Sequence, residues 1–282
     1  MAIDALGEAQ RHGRAAAREA APWVEKLARL GYAAKGVVYL IIGGIAARAA
    51  FGSGERVQGS QGALQTILEQ PFGKFLLALV ALGLAGYALW RFVQAGLDPE
   101  HGGRTDGGGA AKRVGYAISG VIHAGLALAA ARMVMGRGGG GGDRTADWTA
   151  TLMRQPAGRW LVAAVGLGIV GYGLYALYRA YAVKLDKRLN LSRMSPAART
   201  WAVRSGRAGI AARGVVFAIM GFFLLRAALR SNPGEARGLD GALRALQQQA
   251  YGPWLLGLVA LGLVGYGIYQ LVEARYRSIQ PA

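Results

Sequence analysis

A chain of 282 residues that is 53% apolar, 17% charged and free of cysteine excludes a disulfide-stapled domain, a thiolate zinc or iron–sulfur centre, and a cysteine nucleophile. Its formal charge of +18 points first to nucleic acid. The basic residues, however, lie between long apolar blocks, which predicts that they report membrane topology and that nucleic acid is not a partner.

Residues 1–29 are expected to form a cytoplasmic amphipathic segment. Arg11, Arg14 and Arg18 fall on one helical stripe, and Pro22 suits the first turn of a new helix, where it has no N–H to lose. Trp23, Leu27 and Leu30 then share a face, with Trp23 at headgroup depth. Both charge signs and the lack of an apolar centre predict that this segment is not a secretory leader. Six apolar stretches follow, at 36–51, 75–90, 114–131, 160–178, 214–225 and 254–272. With its flanks, each reaches the ~20 helical residues needed to cross a hydrocarbon core of roughly 30 Å. Lipid offers no partners to backbone N–H and C=O groups, so the crossings must be helices; the alternation of a membrane barrel is absent.

The six stretches are three copies of one two-span unit. The opening spans read Gly31-Tyr32-Ala33-Ala34-Lys35-Gly36-Val37-Val38-Tyr39, Gly115-Tyr116-Ala117-Ile118-Ser119-Gly120-Val121-Ile122-His123 and Gly209-Ile210-Ala211-Ala212-Arg213-Gly214-Val215-Val216-Phe217. The closing spans carry Gly83-Leu84-Ala85-Gly86-Tyr87, Gly168-Ile169-Val170-Gly171-Tyr172 and Gly262-Leu263-Val264-Gly265-Tyr266. A unit of two crossings returns to the side it left, so the copies share one orientation, as parallel repeats about an axis along the membrane normal. The expected fold class is all-α: a polytopic membrane protein with six transmembrane helices as three parallel two-helix repeats in a pseudo-three-fold arrangement. The repeats are expected at 30–99, 114–182 and 208–273, with a Gly-rich linker at 100–113, a basic linker at 183–207 and a tail at 274–282. Lys and Arg number 17 on the side bearing both termini and 7 on the other, so the positive-inside rule puts both termini in the cytoplasm.

The outer connections share a second element. Segments 59–70, 147–155 and 240–249 each place apolar residues on one face (Leu64, Ile67, Leu68; Trp148, Leu152; Leu243, Leu246), with Ser60, Thr145 or Asp147, and Asp240 as expected N-caps. They predict short interfacial helices on the outer surface. Segments 136–142 and 102–109, rich in glycine, are expected to be disordered. Neither is a phosphate loop, since no Gly-Lys-Ser/Thr and no strand accompanies them.

Several residues could carry chemistry. Gly83, Gly86, Gly168, Gly171, Gly262 and Gly265 form small faces that predict close helix packing. Tyr87, Tyr172 and Tyr266 follow them well inside their helices; each phenol needs a partner, either a carbonyl or small polar group on the adjacent opening span or a central cavity that the three line. Lys35 and Arg213 occupy equivalent positions, and Arg91 and Arg179 lie near the exits of their spans. These four either snorkel to the interface or form a basic pocket for an anionic headgroup or small anion. Glu273 near the last exit could pair with Arg179 or Arg91 as a structural lock. His123 replaces Tyr39 and Phe217, as a packed ring or as a proton relay lining the cavity; no carboxylate deep in a span supports the relay. No catalytic set, metal cluster or cofactor motif can be assembled, so enzyme activity, metal and cofactors are not expected.

The Gly-Tyr-x-x-Lys-Gly-Val-Val-Tyr and Gly-x-x-Gly-Tyr marks in tandem resemble the bacterial DUF1206 membrane family, whose function is unassigned. The resemblance runs from Leu30 to Val272, with Ser119 in place of the basic residue in the second copy and Ile210 and Ala250 in place of tyrosine and proline in the third. It implies a six-helix bacterial inner-membrane protein and supplies no site residues. Mitochondrial carriers share the three-by-two plan, but their Pro-x-Asp/Glu-x-x-Lys/Arg motif is missing. The expected function is a non-enzymatic module binding anionic lipid or partner membrane proteins; the alternative is a channel or transporter for a small solute or anion along the axis.

Overall fold

A computed structural model describes residues 2–52, 57–97, 107–137, 144–182 and 194–277, with side chains from Pro22 onward except at Val24, Leu97, Gly107, Gly108 and Ala111. The expected disorder at 138–142 and 102–106 lies outside the described residues. Gly107–Gly109 begin a helix instead, and Gly136 closes the preceding helix with φ +70°.

Six long helices carry the apolar stretches: α1 (Ala2–Ala50), α3 (Gly73–Leu97), α4 (Gly107–Val134), α6 (Gly158–Ala182), α7 (Pro196–Leu229) and α9 (Gly252–Tyr276). Each contains a segment long and apolar enough to cross a membrane. Three short helices join them on one side: α2 (Ser60–Leu68), α5 (Thr145–Met153) and α8 (Leu239–Gln247). No strand occurs among the described residues. The start of the first span meets the end of the last. Arg29 of α1 donates to the carbonyls of Ala274 and Arg275 at 2.9 Å and of Arg277 at 3.2 Å, so the first span starts where the last finishes. That contact agrees with a shared orientation of the three hairpins.

Two local expectations are corrected. Pro22 does not start a helix; it lies within the continuous α1. The alanine-rich flank, Ala15–Ala17 and Ala20–Ala21, has the highest intrinsic helix propensity and carries the helix across the lost N–H. Ser60, Thr145, Asp147 and Asp240 are not N-caps either. Gly59, Arg144 and Gly238 hold those positions, without side-chain cap bonds, and the two aspartates sit in the first turn, where a carboxylate suits the positive end of the helix dipole.

The short helices differ in depth. Ala63 and Leu64 of α2 and Ala242 and Leu243 of α8 are buried in the main core beside Ile42, Ala46 and Leu256, so these two helices stopper one end of the bundle rather than lie on it. Gln247 of α8 fastens that end by donating to the carbonyl of Ala49 at 3.1 Å. Helix α5 is peripheral, with Trp148 exposed.

The long helices pack in the order α4–α3–α1–α9–α7–α6. The three contacts between repeats (α3 with α4, α6 with α7, α9 with α1) are all extensive. Within repeats, α1 packs on α3 and α7 on α9, but α4 and α6 share no comparable packing. The array is therefore an open arc, in which the α4–α6 packing that would complete the expected pseudo-three-fold arrangement is missing.

Glycine sets the spacing of these contacts. A Cβ on Gly36 would come within 2.9 Å of the Gly267 carbonyl oxygen, and one on Gly214 within 2.8 Å of that of Gly173. Such backbone-to-backbone approach supplies the dispersion contact that drives association where lipid matches leucine in apolarity. The turns that feed the closing spans need glycine more stringently. Phe72 and Ala157 adopt φ +59°, and a Cβ on Gly73, Gly158 or Gly252 would meet the carbonyl oxygen of Leu68, Leu152 or Gln247 at 2.0, 2.0 or 1.8 Å. Replacing Gly252 with alanine should therefore force the α8–α9 turn apart and cost about 2 kcal/mol or more of stability. Thermal unfolding in detergent checks this; a midpoint unchanged from the parent would contradict the steric account.

Candidate functional site

All six long helices send side chains to one region of the bundle interior. Its depth follows from helical rise: Lys35 lies ten residues beyond Glu25, where the first span begins, or about 15 Å along the axis. Lys35 is 4% exposed and donates to the phenol oxygen of Tyr87 at 2.8 Å. The same oxygen accepts from Nε of Arg91 at 2.8 Å and from its Nη2. Nη1 of Arg91 donates to Gln94 at 2.8 Å, and the guanidinium lies 5.2 Å from the ring of Tyr116. In the third repeat Arg213 repeats the pattern, donating to the phenol oxygen of Tyr266 at 2.6 Å. Its guanidinium also lies over the rings of Tyr266, Phe217 and Tyr39 at 4.3, 5.1 and 5.3 Å. Lys35 joins the two halves, with Nζ 4.5 Å from the centre of the Tyr87 ring and 5.5 Å from that of Tyr266.

The aromatic residues at the closing-span tyrosines and at positions 39, 123 and 217 form three equivalent pairs across the repeat boundaries. Tyr266 meets Tyr39 at 4.8 Å between ring centres, Tyr87 meets His123 at 4.5 Å, and Tyr172 meets Phe217 at 5.3 Å. The Nδ1–H of His123 donates to the carbonyl of Ser119 at 2.7 Å, which fixes the ring as a packed, hydrogen-bonded member of this set.

Three cations thus enter the interior on phenol and amide oxygens alone. Among the described residues no carboxylate pairs with Lys35, Arg91 or Arg213, and Nε of Arg213 is buried with no acceptor. The nearest buried acid, Glu273, is engaged elsewhere: it accepts from Arg277 at 2.6 Å and from Gln270 at 2.6 Å. It does not pair with Arg179 or Arg91, because Arg277 follows it by one helical turn and reaches it first. Arg179 stands in register with Gln94 and Glu273, not with Arg91, and no contact with the cluster is present for it among the described residues.

The tyrosine partners also differ from a neutral carbonyl or small polar group. The phenols of Tyr87 and Tyr266 each accept from the basic residue of their own repeat's opening span, so the cation and the Gly-x-x-Gly-Tyr mark pair within the first and third hairpins. Sequence reasoning missed Tyr39, Tyr116, Gln94 and Phe217 as cluster members; the repeat register of the aromatics at 39, 123 and 217 was the available signal. Lys35, Tyr87 and Tyr266 are packed and buried, whereas Tyr172 of the second repeat is not. An apolar groove of about 430 Å³ lies on an outer face among α1, α2 and α3, lined by residues such as Val37, Ile67 and Leu79.

The cluster has a stability consequence. Tyr87→Phe removes the acceptor shared by Lys35 and Arg91 and should destabilise the protein by about 2–3 kcal/mol, as expected for a lost hydrogen bond to buried charge. Tyr172→Phe, with no cation in its own repeat, should stay within about 0.5 kcal/mol. Equal shifts of the two variants in detergent unfolding would contradict the assigned roles.

Comparison with known proteins agrees with the repeat structure. Residues 30–98, 114–182 and 208–277 each match a family described as Domain of Unknown Function (DUF1206). A relative from Bacillus subtilis (strain 168), described as uncharacterized protein YxxB, is 35% identical over 262 residues, covering 93% of this chain and 94% of the relative. No solved structure matches.

Proposed function

The chain belongs to the DUF1206 family of domains of unknown function, with helices suited to a multi-pass membrane protein, and from that premise we propose that it is a non-enzymatic membrane module holding an anionic headgroup at its cation–tyrosine centre. One observation carries this reading: Lys35, Arg91 and Arg213 are drawn inward on phenol and amide oxygens with no carboxylate, and a guanidinium nitrogen of Arg213 is left without an acceptor. A phosphate or carboxylate oxygen supplies the acceptor this set lacks, and guanidinium suits it best because its donors form a planar fork. The bilayer provides such groups at high local concentration in its anionic lipids.

A non-enzymatic role is supported by the chemistry on offer at the centre, which is phenol, imidazole and cation without an activated nucleophile. A conduit for small solutes or anions is the weaker alternative. Lys35, Tyr87 and Trp90 are buried where α1 and α3 meet, and that packing favours retention over passage. We place the protein in the bacterial inner membrane with both termini cytoplasmic, a reading supported by the basic residues near the chain ends and in the even-numbered connections. Partner membrane proteins remain a further role open to the same outer faces.

Native mass spectrometry after gentle extraction tests the site. The parent should carry anionic phospholipid, and Lys35→Gln/Arg213→Gln should lose most of it, by roughly fivefold per cation removed. Release of the bound species by excess inorganic phosphate would identify a free anion instead, and equal lipid on parent and variant would reject the site. Orientation is testable because the chain has no native cysteine: Trp148→Cys should react with an impermeant maleimide from outside the cell. Reaction only after the cells are opened would reverse the topology.

A further inference from the structure

The second repeat lacks what the other two share. In the first repeat Gly31 approaches Tyr87 and Gly83, and in the third Gly209 approaches Tyr266, so that a Cβ on either glycine would come within 2.6 or 2.4 Å of its neighbour. Gly83 and Gly262 rest in turn on the methyl groups of Ala34 and Ala212. Their counterparts in the second repeat, Gly115, Gly168 and Gly171, have nothing within 4 Å. Tyr172 is 46% exposed where Tyr87 and Tyr266 are 0% and 4%. The glycines of a close seam are present, but the seam is open.

The sequence of α4 contains the reason. Where the other two repeats place Ala34 and Ala212 against the glycine of the closing span, the second places Ile118, which is 56% exposed. A β-branched side chain cannot occupy a space that fits one methyl group without moving the helices apart. The next residue is Ser119, so the hydrogen bond from cation to phenol that ties the other two hairpins is also missing. The two helices flanking this opening contribute His123 and Tyr172 to the central cluster, and behind Tyr172 lie Phe217 and the guanidinium of Arg213.

We propose that the α4–α6 opening is a lateral portal, kept apart by Ile118, through which a bilayer phospholipid with an anionic headgroup reaches Lys35 and Arg213. This rests on the reading of the cluster as an anion site and adds the route and the class of ligand. Charge selects the occupant: the interior end of the opening is cationic, while the residues that leave it open, Ile118, Gly168 and Gly171, are apolar and match acyl chains. A soluble anion would have no use for such walls. A second copy of this chain would bring the same interior cations against their own kind.

The test uses the full-length protein in phosphatidylcholine vesicles containing phosphatidylglycerol. A fluorophore on Gly171→Cys reports the portal, since that position is open and the chain has no other cysteine. Bromine on the acyl chains of phosphatidylglycerol should quench it several-fold more than bromine on phosphatidylcholine at equal fraction, with the preference falling roughly fivefold for each of Lys35→Gln and Arg213→Gln. Ile118→Ala, which lets the seam narrow, should lower quenching by both lipids. Equal quenching by the two lipids, in a protein that still retains phosphatidylglycerol by native mass spectrometry, would overturn the portal and leave the anion site standing. No retained phosphatidylglycerol would overturn both. Disulfide-linked dimers formed through unlabelled Gly171→Cys in the membrane would give the opening to a second copy and overturn the lipid. Unchanged quenching in Ile118→Ala would overturn the wedge.

Discussion

Lys35, Arg91 and Arg213 carry positive charge into a bundle whose outer surface suits hydrocarbon, and the groups that meet them are phenol oxygens, an amide and aromatic faces. An uncompensated cation at the centre of a spanning helix costs about 3 kcal/mol on insertion scales, and more where it cannot reach water. Hydrogen bonds to Tyr87 and Tyr266 and the quadrupoles of five aromatic rings offset part of that cost without cancelling the charge. A carboxylate would neutralise the cations and make the centre a salt bridge. Tyrosine leaves the positive potential in place, aimed at whatever anion can approach.

That arrangement explains why glycine and tyrosine occur together in the closing spans. Gly83 and Gly86, or Gly262 and Gly265, let the opening span come close enough for a lysine or arginine one helical face away to reach the phenol that follows. Packing and electrostatics are therefore one device, repeated in two hairpins. In the second hairpin, replacing alanine with Ile118 and a cation with Ser119 removes both halves at once, and α4 stays with α3 while α6 stays with α7. The asymmetry of the bundle traces to adjacent residues in one copy of the motif.

Much of the fold was legible because hydrocarbon imposes length and apolarity on each span, and because tandem hairpins must share an orientation. The pairing of Arg29 with the end of α9 reflects that rule directly. Helix α1 running through Pro22 was not legible, since proline marks a helix start and a tolerated interior position with the same residue. The depth of α2 and α8 was hidden as well: an amphipathic face says that a short helix is half buried without saying whether lipid headgroups or the bundle end covers it. At the site, Lys35, Arg213 and the tyrosines could be named from register, but Glu273 binding Arg277 depended on the course of the last turn. The open second repeat was written in Ile118 and became readable only once Ala34 and Ala212 were seen pressed against glycine.

A structure of the protein determined by electron cryo-microscopy in nanodiscs containing phosphatidylglycerol tests the central claim most directly. The account predicts phosphate density within hydrogen-bond distance of Arg213 or Lys35, continuous with acyl density between α4 and α6. A bundle with α4 packed on α6 as α1 packs on α3, and with the three cations answered by protein groups alone, would contradict it.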